Sequence, residues 1–224
     1  MDQILEIFTK ANVRFIMLGL ANTMMIASVS ILLSVVVGSV LASLRNSKSK
    51  FVRGLVITYI EIFRNTPNLL WLMIIYLVVR IRPTPLCAIV AFTLFTSAAM
   101  AEIIRGGINS VSKGQWEAAR SQGMRASQMY IYIILPQALR NMIPALLSQA
   151  ITVIKDTAFL RMAMAYPELL GRIIVLTSKY TAVVQIFALY GLAMLIYFVI
   201  CFILSQLVRH FQKKLQAEAQ SQAR

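Results

Sequence analysis

Charged residues are scarce in this chain. Only 13% of its 224 residues are charged and 59% are hydrophobic, whereas an average soluble domain carries about 25% charged residues. A chain of this length is expected to form one domain, and lipid explains the missing charge better than an oversized core does. The composition argues against a soluble protein and favours an integral membrane protein.

Residues for metal or redox chemistry are also few. Cys87 and Cys201 lie in apolar segments, and the single histidine, His210, has no Cys or carboxylate at ligand spacing. We therefore predict neither a disulfide nor a metal site. The sequence also lacks a Gly-rich phosphate loop with its Lys-Ser/Thr end, so we expect no ATP hydrolysis and no cofactor in this chain.

Acidic residues number 8 against 22 Lys and Arg, which gives a net charge of +14. Such an excess can indicate a nucleic-acid partner. Here, however, the basic residues fall in small groups between apolar runs, as topology signals of membrane proteins do. We expect no nucleic-acid partner.

Five apolar segments are long enough to cross a bilayer. They predict an all-α, five-helix membrane bundle over residues 1–211, followed by a polar tail, 212–224, that frays. Pro136 and Pro144 are expected to bend the fourth span, and a short surface helix is expected within 157–181. The predicted spans are 15–44, 54–79, 85–104, 127–154 and 182–208.

The distribution of Lys and Arg predicts the orientation of the chain. The connections on the side of the C-terminus carry more of these residues than the connections on the side of the N-terminus. By the positive-inside rule, the N-terminus lies outside and the C-terminus is cytoplasmic. We do not expect the N-terminal segment to be a cleavable signal peptide, because it begins with the acidic residues Asp2 and Glu6, whereas such a peptide begins with basic residues.

A short helix is predicted at 113–122, in the largest internal cytoplasmic loop. Ser112 and Gln115 have the spacing of a capping box, Gly123 offers a stop, and Ser127 is expected to cap the next helix. A helix of this length is marginal alone in water. Something must therefore hold it in place.

Two kinds of contact can hold this helix. Trp116 and Met124 can anchor in the membrane interface. Alternatively, Ala118, Ala119 and Gly123 permit the close approach of a soluble partner, and Glu117 supplies a charge. The residues favour docking to a protein but leave lipid contact open.

Charges inside the membrane mark a candidate transport path. Glu61 and Arg64 share a helix face, with Arg64 roughly 15 Å from Gly54 and so near mid-bilayer. Such charges normally face a partner or a wet cavity, and Pro67 favours a broken helix beside them. An internal Glu61–Arg64 salt bridge is an equally good interpretation.

Lys155 and Asp156 stand at the outer end of the fourth span. A guanidinium and a carboxylate together would match the two charges of a free amino acid, although Lys155 and Asp156 can equally mark an interface.

The small residues between Thr96 and Ala101 favour close helix packing, and Arg105 is expected to anchor a span end. The candidate path residues are Glu61, Arg64, Thr66, Lys155, Asp156 and Thr157.

The segment from Glu117 to Pro136 resembles a known family. Glu117-Ala118-Ala119, Gly123, Ile133 and Leu135-Pro136 match the permease signature of binding-protein-dependent ABC importers. The resemblance implies a type I importer permease whose helix at 113–122 is a coupling helix that docks in a cleft of the cytoplasmic ATPase. Glu117, Ala118, Ala119 and Gly123 would make this contact.

Further stretches are similar to the polar amino acid uptake branch of this family. They are EIFRNTP (61–67), AEIIRGGINSVSKGQWEAA (101–119) and IKDTAFL (154–160). Two positions depart from the branch: Asn65 stands where a small residue is usual, and Ala158 replaces a common serine.

The resemblance implies a permease subunit in a bacterial cell (inner) membrane that moves a polar amino acid by alternating access. The implied partners are a cytoplasmic ATPase dimer that hydrolyses the ATP, an external amino-acid-binding protein and a second permease subunit. A self-sufficient, ion-coupled transporter or channel is the main alternative, although five spans without inverted repeats argue against it. A membrane subunit without transport activity is a third interpretation.

Overall fold

The computed structural model describes residues 2–222, and these residues form helices without any strand. A 3-10 turn, Glu6–Phe8, follows α1, and π-helical segments occupy Ile75–Val79 after α4 and Met129–Ile134 before α8. The predicted all-α class is confirmed. The α-helices are α1 (Asp2–Leu5), α2 (Lys10–Leu44), α3 (Lys50–Arg64), α4 (Asn68–Ile74), α5 (Thr84–Asn109), α6 (Lys113–Ser121), α7 (Ala126–Gln128), α8 (Leu135–Asp156), α9 (Phe159–Met164), α10 (Leu169–Thr177) and α11 (Val183–Gln222).

Across residues 2–222, four helical stretches are long and apolar enough to span a membrane. A fifth crossing is formed if α3 and the segment Asn68–Val79 count as one span, and this pair bends by 105°. Several helices run past the predicted spans, because hydropathy marks the lipid-covered part of a helix and the backbone hydrogen bonds continue beyond it. The four stretches are Lys10–Leu44, Thr84–Asn109, Ala126–Asp156 and Val183–Lys213.

The break between α3 and α4 is closed by local hydrogen bonds. The amide nitrogen of Asn65 donates to the carbonyl of Glu61 at 2.8 Å, and the hydroxyl of Thr66 donates to the carbonyl of Ile62 at 2.6 Å. These side chains satisfy carbonyls at the end of α3, where Pro67 offers no N–H. The broken helix that Pro67 favoured is present.

Close packing of α2 on α5 forms the centre of the bundle. A Cβ built on Gly38 of α2 would lie 2.7 Å from the Cβ of Met100 and 3.0 Å from the backbone nitrogen of Ala101. The small residues of α5 permit this approach, as predicted. Helix α3 also packs on α5, and the hydroxyl of Tyr59 from α3 donates to the carbonyl of Leu94 at 2.7 Å.

The segment between α8 and α11, predicted as one short helix on the outer surface, is largely buried against other helices. It forms two helices, α9 and α10, whose Leu160 and Leu169 are fully buried. Glu168 caps α10 by accepting the N–H groups of Leu170 and Gly171 at 2.7 and 2.6 Å, and Tyr197 of α11 donates to the same carboxylate. The apolar residues of this segment pack against α2 and α11, a tertiary contact that local polarity does not reveal.

The predicted frayed tail is largely helical. Helix α11 continues without interruption to Gln222, through most of 212–224, and residues 223 and 224 lie outside the described part of the chain. Helical hydrogen bonding continues from the apolar span into the polar sequence.

Replacement of Gly38 by alanine should lower the thermal stability of the purified protein. The added methyl group would overlap Met100 and the α5 backbone, so α2 and α5 must separate. Gly54→Ala is the matched control, because a Cβ there meets nothing within 4 Å and alanine favours a helix over glycine by roughly 0.8–1.0 kcal/mol. Melting temperatures measured in detergent should fall for Gly38→Ala and hold or rise for Gly54→Ala; equal shifts would refute the packing argument.

Candidate functional site

Helix α6 begins where the sequence predicted, although its cap differs. Ser112 is the N-cap, but its side chain accepts no hydrogen bond from the helix. Gln115 does not complete a capping box; its side-chain oxygen accepts from Gln137 Nε2 of α8 at 3.2 Å. Gln115, which was predicted to complete the capping box, therefore connects α6 to α8.

The two alanines of α6 face opposite environments. Ala119 is 4% exposed and belongs to a buried cluster with Met129, Ile134 and Ala138. Ala118 is exposed. Ala119 thus holds α6 to its own chain, and Ala118 is the alanine available to another molecule.

Glu117, Trp116 and Met124 divide between the same two faces. Glu117 is exposed beside Ala118, whereas Trp116 and Met124 are partly buried and pack against the cluster that contains Ala119. The two large side chains therefore contact protein within this chain. The exposed face of α6 carries small and charged groups.

Gly123 ends α6 with a left-handed backbone. Its φ is +73°, and its N–H donates to the carbonyl of Arg120 at 2.9 Å. A Cβ at this position would meet nothing within 4 Å. Within this chain, Gly123 is required for its conformation and not for a close contact.

The connection from α6 into α8 contains a wide helical turn. The N–H of Arg125 donates to the side chain of Gln128 at 2.9 Å, so Arg125 is the N-cap of α7 and the predicted Ser127 cap is wrong. The π-helical segment Met129–Ile134 follows, directly before Pro136. Pro136 has no N–H to donate to the preceding turn. Beside it, the side chain of Gln137 donates to the carbonyl of Ile133 at 2.8 Å.

Glu102 of α5 gathers three arginines inside the bundle. Its carboxylate contacts Arg45 from the end of α2, lies 2.8 Å from Arg105 Nη2 and lies 3.7 Å from Arg64 Nη1. The Glu102 side chain is only 14% exposed. In the described residues Arg64 therefore points to Glu102, and the internal Glu61–Arg64 salt bridge is not formed.

Arg64 and Glu102 also line a cavity of about 330 Å³ between α3, α5 and α8. Its wall includes the aromatic ring of Phe63 and the polar side chains of Asn68, Thr96 and Gln149. Small-molecule sites have volumes of roughly 300–1,000 Å³. The cavity thus has the size and the mixed polarity of a site for a small polar molecule.

The other predicted path residues in α3 and its break are hydrogen-bonded nearby. The carboxylate of Glu61 accepts from the side chain of Asn65 at 2.9 Å. The hydroxyl of Thr66 accepts from Trp71 Nε1 at 2.6 Å. Both residues are exposed and stabilise the break in the span.

The three predicted residues at the end of α8 lie in different environments. Lys155 is exposed, and Asp156 accepts from Asn68 Nδ2 at 3.1 Å, which connects it to the cavity wall. Thr157 is fully buried and donates its hydroxyl to the carbonyl of Ile154 at 2.6 Å. Thr157 therefore supports the end of the helix, and Asp156 is the member of this group nearest to the cavity.

Sequence reasoning missed Asn68, Thr96 and Gln149 as cavity residues. It gave no separate role to Glu102, although Glu102 is the shared partner of the arginines. The i, i+3 spacing of Glu102 and Arg105 was a visible signal for one of these pairs. The other pairs join separate helices, and no local pattern reveals them.

Comparison with known proteins finds a matching family and similar sequences over most of the chain. Residues 30–217 match the family described as binding-protein-dependent transport system inner membrane component. The chain is 34% identical to the probable glutamine ABC transporter permease protein GlnP of Bacillus subtilis (strain 168), covering 92% of this chain and 95% of that protein. It is 36% identical to the L-cystine transport system permease protein TcyB of the same organism, covering 86% of this chain and 82% of that protein.

The fold also matches a solved structure. A crystal structure of an amino acid ABC transporter with histidines superposes with a TM-score of 0.85 and 29% sequence identity. The match covers 94% of this chain and 98% of the other. The likeness therefore extends over nearly the full length of both chains.

Substitution of Gly123 should separate backbone strain from side-chain size. Gly123→Ala forces alanine into a left-handed conformation, which costs roughly 1–2 kcal/mol, whereas Gly123→Asn should cost less because asparagine tolerates this region. Unfolding of the purified protein, followed by circular dichroism, should rank glycine above asparagine and asparagine above alanine. A larger loss for asparagine than for alanine would show that side-chain volume, and not φ, decides.

Proposed function

The chain belongs to the family of binding-protein-dependent transport system inner membrane components, and we propose that it moves a polar amino acid through the cavity between α3, α5 and α8. It is a multi-pass inner membrane protein and the transmembrane permease subunit of an ABC importer. This excludes the self-sufficient, ion-coupled transporter as its class. The match of the family to residues 30–217 carries this conclusion.

A polar amino acid is the proposed substrate. The relatives over most of the chain are named for glutamine and L-cystine transport. The cavity offers one guanidinium, from Arg64, together with the amides of Asn68 and Gln149. The guanidinium suits the carboxylate of a zwitterion, and the amide oxygens can accept hydrogen bonds from its ammonium group.

The exposed face of α6 is the proposed docking site for the ATPase that hydrolyses ATP for this importer. Glu117 and Ala118 are exposed there, and Gly123 turns the chain back toward α8. Ala119 and the Gln115–Gln137 hydrogen bond fix α6 to α8. Movement of the docked ATPase would therefore pass to the span that lines the cavity.

A second permease subunit is the proposed cover for a polar stripe on α8. Asn141, Ser148, Gln149 and Thr152 lie along this stripe and line an open hollow of about 760 Å³. Hydrocarbon satisfies no polar groups, so such a face needs a protein neighbour or water. A pseudo-symmetric or symmetric partner would place two stripes around one path.

The proposed orientation places α6 in the cytoplasm and the N-terminus outside. The basic residues flanking α6 and the end of α2 support this arrangement through the positive-inside rule. An external amino-acid-binding protein would then deliver substrate at the opposite end of the bundle, beyond Lys155 and Asp156. The path would pass Glu61 and Arg64 on its way to the α6 end.

Reconstitution tests the proposed function directly. Liposomes containing the permease, its ATPase and its binding protein should accumulate a radiolabelled polar amino acid only when ATP is present on the ATPase side. Omission of the ATPase is the control. Uptake that needs only an ion gradient, or the absence of uptake for every amino acid tested, would contradict the proposal.

Replacement of the two neighbouring alanines of α6 should affect different properties of the protein. Ala118→Leu adds bulk to the exposed face, so ATP-driven uptake should fall at least tenfold while the melting temperature holds. Ala119→Leu places the same side chain in the buried cluster, so overpacking should lower stability by roughly 1–3 kcal/mol. Uptake in liposomes and melting in detergent distinguish the two; full uptake by stable Ala118→Leu would refute docking on this face.

A further inference from the structure

Arg64 is the most weakly held of the three arginines around Glu102. Its Nη1 lies 3.7 Å from the carboxylate, whereas Arg105 Nη2 lies at 2.8 Å and Arg45 is in direct contact. The Arg64 side chain is 44% exposed, against 21% for Arg45 and 35% for Arg105. Arg105 and Arg45 can thus satisfy Glu102 without Arg64.

Arg64 has no second anion to hold it. Within residues 2–222, Glu102 is the acid found within 4.0 Å of its guanidinium. Glu61, on the same helix face, is engaged by the side chain of Asn65. The 3.7 Å contact with Glu102 is thus a weak one for a guanidinium that carries five N–H donors and lines the cavity.

Thr96, which lines the same cavity, carries a buried hydroxyl without a hydrogen-bond partner among the described residues. The residue is 1% exposed. A threonine in a helix ordinarily donates to a carbonyl of the preceding turn, as Thr66 does here. A buried polar group without a partner requires an explanation, and a bound molecule supplies one.

We propose that Arg64 and Thr96 form a subsite for the α-carboxylate of the transported amino acid, and that Glu102 holds Arg64 in place while this subsite is empty. A carboxylate matches the fork of a guanidinium and also accepts a hydroxyl proton. Phe63 and the amides of Asn68 and Gln149 then face the remainder of the molecule. This inference rests on the proposed function.

Competition for Arg64 follows from this arrangement. Glu102 and the substrate carboxylate bind the same guanidinium, so weakening Glu102 should leave substrate affinity unchanged or raise it. A purely structural ion pair would behave in the opposite way, because loss of Glu102 would loosen α3 and reduce binding. The subsite also selects the group that all free α-amino acids share, and it leaves the side chain to other contacts.

Binding to the purified permease–ATPase complex, without the binding protein, tests the subsite. Calorimetry with the twenty protein amino acids and L-cystine identifies the tightest-binding acid, and its α-carboxamide serves as the matched probe. The acid should bind at least tenfold more tightly than the carboxamide. Equal binding of the two probes, or no binding by any acid, would overturn the inference.

Variants then assign the effect to residues. Arg64→Gln should bring the acid down to the affinity of the carboxamide, and Thr96→Val should weaken the acid several-fold while Thr96→Ser retains it. Glu102→Gln should bind the acid at least as well as the unmodified complex. Arg53→Gln, at an exposed position of α3 away from the cavity and from Glu102, is the control and should retain the preference for the acid.

Melting temperatures and uptake distinguish a destabilised variant from one that has lost the subsite, and the failure of the subsite from the failure of the proposed function. If Glu102→Gln loses stability, stable Arg64→Gln and Thr96→Val variants still decide, and an unchanged preference for the acid in both refutes the subsite. Normal ATP-driven uptake combined with equal binding of acid and carboxamide overturns this inference alone. The absence of ATP-driven uptake by the unmodified importer overturns the proposed function itself.

Discussion

Hydrocarbon offers no hydrogen bonds, and this constraint governs each irregular part of the chain. Where a helix is interrupted or ends, its polar groups must find partners within the protein. Asn65 and Thr66 satisfy the end of α3, Glu168 caps α10, and Gln137 bonds back to Ile133 beside Pro136. The same constraint accounts for Arg45, Arg64 and Arg105 around the largely buried carboxylate of Glu102, because an isolated charge inside a membrane bundle is costly.

These satisfied interruptions link the two functional regions. The α6 face and the cavity lie on different parts of the chain, yet both depend on α8. Gln115 and the cluster around Ala119 join α6 to the start of α8, and Gln149, farther along α8, lines the cavity. Between them lie a π-helical segment and Pro136, where the regular α-helical ladder is absent. In the proposed function, α8 would carry a displacement of α6 toward the cavity, and the irregular segment is where its direction would change.

The sequence predicts those features that depend on composition and local pattern. The all-α class and the break near Pro67 follow from hydropathy and proline, and the structure contains both. The short helix at α6 is also present, although the capping box that predicted its start is not formed. Pairings between distant residues do not follow from such patterns. Nothing local shows that Arg64 turns to Glu102 and not to Glu61, that Asn68 meets Asp156, or that α9 and α10 are buried. Ala118 and Ala119 are chemically identical, and only the position of α8 decides which of them is exposed.

The break between α3 and α4 has a consequence for the order of biosynthesis. Helix α2 is long and apolar enough to enter the membrane alone, whereas the bent pair gains its partners from segments that leave the ribosome later. Tyr59 of α3 bonds to Leu94 of α5, and Asn68 of α4 bonds to Asp156 at the end of α8. The second crossing therefore cannot reach its final shape until α5 and α8 have been made, and the nascent chain must hold an unfinished crossing in the membrane while more than half of the protein is still to be translated.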